Sequence, residues 1–228
     1  MNTNNTAYTK EQSVAFTDAI AMETKAHNLM VKEVMNQAPH GTLLDLGCGD
    51  GYLFKEYKKM GFKNMIGLDA SLDILSIAKE KHSDVTFIHS ILPNINLPTA
   101  SIDTLVSMYA VQNIQPKDMQ KFYQECYRVL KPGGTLTIFT KSPIQQFLKK
   151  IEDQGEKANY FTSEMVSIKI LDGALTVTEP SHTLTDYLSL VDCGFTLTSF
   201  SENSEFPASR KIMGDDYPTF IIFSATKK

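Results

Sequence analysis

The order of apolar and polar positions divides the first part of the chain into alternating strands and helices. Short runs typical of buried strands are TLLDL (42–46), NMIGLD (64–69), VTFIHS (85–90) and IDTLVSMY (102–109). Between the first three runs, apolar residues recur at helical spacing from about Tyr52 to Met60 and from about Leu72 to Lys81. This alternation predicts a parallel sheet covered by helices.

The N-terminal region has a helical pattern of its own. Residues 10–37 contain no Pro or Gly, and their apolar residues are spaced roughly as one face of a helix, which ends before Pro39. We therefore expect residues 1–40 to form a helical cap of one or two helices. The segment that follows, 41–143, is expected to be the core that binds a ligand.

The pattern changes in the second half of the chain. A helix is predicted from about Pro116 to Leu130; LKPGG ends it and leads into the strand TLTIFT (135–140). About 40 residues then intervene, more than one crossover helix requires. Within residues 144–182, two alternating runs flank Leu171-Asp172-Gly173, which predicts an inserted hairpin that acts as a lid. Residues 183–228 are expected to close the fold with a helix over 183–192, a cap at Gly194 and two antiparallel strands.

Composition indicates one globular domain over residues 1–228. The chain is 42% apolar and 21% charged, which is ordinary for a globular protein. A formal net charge of −4 argues against a nucleic-acid partner and favours a small or neutral substrate.

Cysteine usage and hydropathy bear on metal binding and on the cellular compartment of the protein. The three cysteines are scattered and lack the spacing of metal ligands, so we expect reduced thiols and no metal site. The N-terminus has no apolar run of a secretory signal, and no stretch reaches the roughly 18 apolar residues of a membrane span. A cytoplasmic protein without a membrane segment is the expectation.

The strongest chemical signal is a glycine loop followed by an acidic residue. Gly47, Gly49 and Gly51 lie where the first strand turns into a helix, and they leave room for a ligand near the helix N-terminus. Asp69 ends the second strand, where a carboxylate accepts hydrogen bonds from both hydroxyls of a ribose. Together they predict an adenosine-containing ligand. The alternative is a plain glycine turn and an aspartate that caps the next helix just before Ser71.

The loop differs from two common nucleotide sites. The third glycine of the nicotinamide fingerprint G-x-G-x-x-G falls one residue later than here, and a Gly-Lys-Ser/Thr sequence typical of a P-loop is missing. Asp45 lies on the strand just before the loop. A carboxylate there favours a cationic group and repels a pyrophosphate.

Four motifs in order carry a family resemblance. LLDLGCGDGYL, IGLDAS, SIDTLVSMYAVQNI and ECYRVLKPGGTLTIFT resemble the class I S-adenosylmethionine-dependent methyltransferases, clearly from about Thr42 to Pro143 and more weakly to the C-terminus. The resemblance implies an α/β fold, a Rossmann-like three-layer sandwich. Its seven-stranded, mostly parallel sheet has the order 3-2-1-4-5-7-6, with strand 7 antiparallel. It implies S-adenosylmethionine as cofactor and S-adenosylhomocysteine as product.

The resemblance also assigns cofactor contacts. It places Asp45 and the loop 47–51, with Cys48 as a small packing residue, around the methionine part of the cofactor. It places Asp69 on the ribose hydroxyls and Ala70 beside the adenine. Many relatives have an acid after strand 3, where this chain has Ser90, Ile91 and Leu92. The backbone groups of Ile91 and Leu92, or the Ser90 hydroxyl, are the expected adenine contacts, and the alternative for Ser90 is an ordinary turn residue.

The segment after strand 4 is expected to face the sulfonium and the acceptor. It contains Met108, Tyr109, Gln112 and Asn113; the two amides orient a substrate but do not act as bases near neutral pH. Tyr160, in the insertion, is expected to line the acceptor pocket, against the alternative of core packing. Tyr8 is a candidate to close over the cofactor at the same site, against the alternative of a surface residue.

His182 is the candidate for a catalytic base, because it opens the turn between the hairpin and the following helix. The alternative is a surface histidine near a helix start. The predicted activity is methyl transfer to an O or N atom of a small-molecule acceptor by a monomer or homodimer. Two alternatives stay open: a methyltransferase that acts on RNA or protein, and a non-catalytic module that binds S-adenosylmethionine.

Overall fold

A seven-stranded sheet organises the protein. The computed structural model describes residues 24–37, 41–170, 175–203 and 218–228. The sheet has the order β3-β2-β1-β4-β5-β9-β8, and β9 runs antiparallel to both of its neighbours. Its strands are β1 (Thr42–Leu46), β2 (Asn64–Asp69), β3 (Thr86–His89), β4 (Ile102–Met108), β5 (Leu130–Lys141), β8 (Phe195–Asn203) and β9 (Phe220–Lys227).

Helices cover the two faces of this sheet. The described α-helices are α1 (Thr24–Asn36), α2 (Phe54–Lys59), α3 (Leu72–Lys81), α4 (Met119–Val129), α5 (Pro143–Gln154) and α6 (Leu184–Leu188). Short 3-10 helices span Val111–Asn113, Pro116–Asp118, Gly155–Lys157 and Ser189–Cys193. Strand β4 is buried along its whole length, as expected for a strand covered on both sides.

Alternate residues of the central strands supply two separate hydrophobic cores. Leu105 of β4 packs with α4 residues such as Phe122 on one face. Its neighbour Val106 packs on the other face with Met30 of α1 and Tyr57 of α2. Because successive side chains of a strand point to opposite faces, one short apolar run serves both cores. The result is a three-layer α/β sandwich.

The predicted sheet order and its single antiparallel strand are confirmed. The two last strands carry the numbers 9 and 8 only because the inserted hairpin contributes β6 (Met165–Ile170) and β7 (Leu175–Pro180), which pair antiparallel in a sheet of their own. The turn of that hairpin at 171–174 lies outside the described residues. So do residues 1–23, which include Tyr8 and the first part of the predicted helical cap.

Several element boundaries differ from the sequence prediction. The helix expected from Pro116 is a 3-10 turn followed by α4, and the helix expected over 183–192 is α6 followed by a 3-10 turn. Strand β5 begins at Leu130, directly after α4, and passes through LKPGG with a register irregularity opposite Ile102 and Thr104. The glycines therefore bend the strand instead of separating it from the helix.

Buried polar contacts attach the insertion to the sheet. Lys150 of α5 is 1% exposed, and its ammonium donates to the carbonyl oxygens of Asn159 and Thr162. Lys141 at the end of β5 pairs with Glu179 of β7 at 2.8 Å, and both side chains are almost completely buried. The hairpin is thus held to the molecule by ammonium groups as well as by apolar packing.

In the part of the chain that the structure describes, no helix has the length and apolarity needed to cross a membrane. In the same residues, no group of three His, Cys, Asp or Glu side chains is arranged to hold a metal ion.

Candidate functional site

The glycine loop joins β1 to α2 at the carboxyl end of the sheet. Gly47 and Gly49 have φ values of +73° and +54°, a region that favours glycine. A Cβ atom on Gly47 would lie 2.2 Å from the Cβ of Ala110, so that glycine allows the loop to pack against the chain after β4. A Cβ on Gly49 would meet only the Cδ1 of Ile74, at 3.7 Å. The space beside Gly49 is therefore open.

Asp69 fixes the loop to the end of β2. One carboxylate oxygen accepts a hydrogen bond from the Gly49 amide and the other accepts one from the Ser71 amide, each at 2.9 Å. Burial raises the pKa of Asp69, and the hydrogen bonds from these amides act against that rise. The carboxylate is held in one orientation beside the open space at Gly49.

Asp45 lies deeper in the same region. It pairs with Gly67 of β2 on one side and with Val106 of β4 on the other, at the point where the sheet order reverses direction along the chain. Ligands bind at this switch point in open α/β sheets. Burial, and to a smaller extent the negative charge of Asp69, raises the pKa of Asp45 to about 8. A cationic group close by would favour its ionised form.

A cavity of about 1100 Å³, including its open mouth, connects these residues. Most of the residues that the sequence predicts to bind the cofactor line it: Asp45, Gly47, Cys48, Gly49, Asp69, Ala70, Ser90, Ile91, Leu92, Met108 and Tyr109. Of the residues predicted to meet the acceptor, Asn113 lines it. The predicted contacts therefore converge on one cavity, and their individual roles stay predictions.

Gly51, Gln112 and Tyr160 lie outside the cavity lining. Gly51 allows close packing instead, because a Cβ there would lie 2.7 Å from the ring of His82. Gln112 is 3% exposed and its side-chain oxygen accepts a hydrogen bond from Thr140 at 2.9 Å. The Tyr160 hydroxyl accepts one from the Leu184 amide at 2.8 Å, at the start of α6. Gly51 and the side chains of Gln112 and Tyr160 therefore take part in contacts within the fold.

His182 is a buried histidine and not a surface one. It is 1% exposed, its ring stacks on Tyr187 with centroids 4.8 Å apart, and Nε2 lies 2.8 Å from the Ile114 carbonyl oxygen. Because a carbonyl oxygen only accepts, Nε2 carries the proton. Burial lowers the pKa of His182. The ring lies outside the cavity lining and supports Ile114, which does line it; the role as a base stays a prediction.

Tyr109 has an unusual backbone conformation at the cavity wall. Its φ of +58° is uncommon for a side chain of this size. The Tyr109 amide donates to the Phe139 carbonyl oxygen at 2.9 Å, and its ring packs edge-on against Phe139 and Phe220, each with centroids 5.3 Å apart. Strained residues of this kind concentrate at functional sites.

Comparison with known proteins identifies the domain. A family model described as a methyltransferase domain matches residues 43–134, the segment that contains β1, the glycine loop, Asp69 and β4. A crystal structure of an S-adenosylmethionine-dependent methyltransferase from Mesorhizobium loti has the same fold, with a TM-score of 0.70 over 89% of this chain and 98% of that chain, at 22% identity. Residues 43–134 match a methyltransferase domain, and the described fold is that of S-adenosylmethionine-dependent methyltransferases. S-adenosylmethionine is the cofactor of such domains.

Curated relatives of this methyltransferase domain act in different contexts. A ubiquinone/menaquinone biosynthesis C-methyltransferase of Campylobacter jejuni is 32% identical over 49% of this chain and 50% of its own length. A malonyl-[acyl-carrier protein] O-methyltransferase of Pectobacterium atrosepticum is 31% identical over 43% of this chain and 38% of its own length. The matches span half or less of the length of these relatives.

The cavity of the methyltransferase domain includes residues that the sequence interpretation missed. His27 of α1, Asp50 and Tyr52 line it, as do Ala110 and Ile114. Asp50 belongs to the loop 47–51, which the resemblance assigns to the cofactor as a whole without singling out this side chain. His27 shares the buried face of α1 with Met30, and the sequence alone does not distinguish it from a histidine in a core.

Proposed function

We propose that this protein transfers a methyl group from S-adenosylmethionine to an oxygen or nitrogen atom of a small-molecule acceptor. The observation that carries this proposal is the pairing of Asp45 and Asp69 with the open space at Gly49 in one cavity. The two carboxylates favour a ligand that has hydroxyl donors and a positive charge, and the missing side chain makes room for it.

The residues fit the cofactor as follows. Asp69 would hold the ribose hydroxyls, since each of its oxygens has a second lone pair after the bond to the backbone. Asp45 would lie near the cationic methionine part. Ala70, Ser90, Ile91 and Leu92 would surround the adenine; the Ser90 hydroxyl already donates to the Asn94 carbonyl oxygen at 2.9 Å, which leaves its lone pairs as acceptors. The cofactor supplies an activated methyl group when bound.

The protein's own contribution to the transfer is mainly positioning. Methyl transfer from a sulfonium is an in-line displacement, so a cavity that holds the acceptor at near-attack distance supplies much of the acceleration. Met108, Tyr109 and Ile114 give that part of the wall an apolar character. Asn113 is held by a hydrogen bond from its amide nitrogen to the Tyr109 carbonyl oxygen, at 3.4 Å, and would orient the acceptor.

The contacts of three lysines near the insertion support a small acceptor over RNA or an extended protein substrate. Lysines near the insertion would be needed for a basic groove, but Lys141 is buried against Glu179 and Lys150 is buried under backbone carbonyls. Lys149 pairs with Glu152 and Asp153 on its own helix. These three ammonium groups are therefore committed to contacts within the fold.

Calorimetric titration tests the cofactor, and an acceptor panel tests the reaction. We expect binding of S-adenosylmethionine and S-adenosylhomocysteine and none of a nicotinamide dinucleotide. Radiolabelled S-adenosylmethionine is then offered with phenols, amines, quinols and bulk tRNA. Label on an oxygen or nitrogen of a small molecule supports the proposal. Label on a quinol carbon or on tRNA, or cofactor binding without any transfer across the panel, contradicts it.

A further inference from the structure

His27 is a buried polar side chain in the cavity wall that the glycine-loop motifs do not include. It projects from α1, is 4% exposed and lines the cavity beside Tyr52, whose ring lies 4.3 Å from the imidazole between centroids. Among the described residues, neither ring nitrogen has a hydrogen-bond partner. Buried polar atoms are nearly always satisfied in folded proteins, so these nitrogens point to a ligand.

The protonation state of His27 defines what it binds. Burial lowers its pKa to about 4, while the nearby Asp50 carboxylate acts in the opposite direction. At neutral pH the ring is therefore uncharged, with one N–H donor and one acceptor nitrogen.

The charge near His27 disfavours an anionic group beside the imidazole. Asp50, an acidic side chain of the same cavity lining, acts on the ring through its negative charge. Lys81 forms an ion pair with Asp50, but its side chain is about half exposed and lies outside the lining. A carboxylate or phosphate beside His27 would meet like charges, whereas an N–H or O–H group would find an acceptor nitrogen.

We propose that His27 faces the attacking atom of the methyl acceptor and accepts a hydrogen bond from its N–H or O–H group. The acceptor class is then a neutral or cationic amine or a hydroxyl compound, and not a carboxylate. Tyr52 holds the imidazole plane by ring contact, so the side chain is positioned before the acceptor arrives. This assignment rests on the proposed function, because it presumes that the cofactor occupies the cavity and presents its methyl group towards His27.

A cofactor analogue tests this without knowledge of the acceptor. In sinefungin a CH–NH₃⁺ group replaces the S⁺–CH₃ group, so an N–H donor lies where the acceptor meets the methyl group. We compare sinefungin with S-adenosylhomocysteine, which lacks that amine, by calorimetry on wild type, His27→Leu and His27→Gln. Asn28→Ala, exposed on the same helix, is the matched control. Thermal unfolding verifies that each variant is folded.

The expected result is selective. His27→Leu weakens the binding of sinefungin by about tenfold or more, as expected for the loss of a hydrogen bond to a charged group. It changes the affinity for S-adenosylhomocysteine by less than about twofold. Gln restores part of the loss, because its side-chain oxygen also accepts. Equal weakening of both ligands, or of neither, overturns the assignment of His27. If wild type binds neither ligand, the proposed function itself fails.

Discussion

Each oxygen of the Asp69 carboxylate accepts one hydrogen bond from the backbone, from Gly49 or from Ser71, and the side chain lines the cavity. The carboxylate therefore has two tasks. It closes the loop against the end of β2, and it offers its remaining lone pairs to a ligand.

Asp69→Ala should lower the affinity for S-adenosylhomocysteine by about 1.5–3 kcal/mol, the usual effect of losing hydrogen bonds to a charged group. The reason is the loss of the ribose contact together with the loss of loop anchoring. Calorimetric titration measures it. Asp73→Ala, exposed on α3, is the matched control and should bind like wild type. An unchanged affinity of the Asp69 variant would remove the ribose assignment.

Asp45 makes stability depend on pH. Its pKa is about 8 in the folded protein and 3.8 in the reference state, so between these values the folded state binds more protons than the unfolded state. Its contribution to the free energy of unfolding is thus fully present below about pH 4 and is lost as the pH rises towards 8. Asp45→Asn is not subject to this loss.

We therefore expect the melting temperature of Asp45→Asn, relative to wild type, to rise between about pH 5.5 and about pH 7.5. The same variant should bind S-adenosylmethionine more weakly, because the negative charge near the cationic group is gone. Differential scanning fluorimetry and calorimetry give the two readouts. Parallel pH curves for the two proteins would contradict the assigned burial of charge.

At the scale of elements, two glycine variants distinguish the effect of backbone strain from the effect of a side chain in the cavity. Gly49→Ala and Gly61→Ala both place a side chain at positive φ, which costs about 1–3 kcal/mol of stability. Only the methyl group on Gly49 projects into the cavity, whereas a Cβ on Gly61 meets no atom within 4 Å. We expect a loss of cofactor affinity of about tenfold or more for Gly49→Ala alone. Equal binding by the two variants would show that the loop is not the site.

The insertion depends on one buried ammonium group. Lys150→Met should leave the carbonyl oxygens of Asn159 and Thr162 without their donor, at a cost of about 2–4 kcal/mol. Lys149→Met removes a partly exposed ion pair and should cost about 0–1 kcal/mol. Denaturant unfolding compares the two, and limited proteolysis between residues 155 and 164 reports local opening. Similar values for both variants would contradict the anchoring role.

The sequence predicts strands and helices well where the local pattern of apolar residues determines them. It predicts poorly which way a side chain points when that depends on the geometry of a turn. The strand runs at β1, β2 and β4 are local signals, and the parallel sheet that they predict is present, whereas its strand order came from the family resemblance. Of the loop glycines, Gly47 and Gly49 line the cavity. Gln112 and Asn113 are neighbours in a 3-10 turn that directs one side chain into the fold and the other to the cavity. The place of His27 in the cavity wall depends on how α1 packs on the sheet, and the sequence pattern does not determine that packing.

At the scale of the whole molecule, ligand binding should stabilise the entire fold, because the cavity is built from the ends of the strands that both cores share. S-adenosylhomocysteine at about 100 times its Kd should add about 2.7 kcal/mol to the free energy of unfolding. For a chain of this size, that corresponds to a rise in Tm of roughly 5–10 °C. A nicotinamide dinucleotide should cause none. A scan without any shift for S-adenosylhomocysteine would contradict the cofactor site.

Tyr109, the residue with positive φ in the cavity wall, connects strand β9 to the cavity. Its ring rests on Phe139 of β5 and Phe220 of β9, and Phe220 lies outside the cavity lining. A change of size at Phe220 would therefore tilt the Tyr109 ring while every cavity residue kept its identity. In laboratory evolution towards new acceptors, substitutions at Phe220 should be selected early, because they reshape the pocket in small steps without removing a ligand contact.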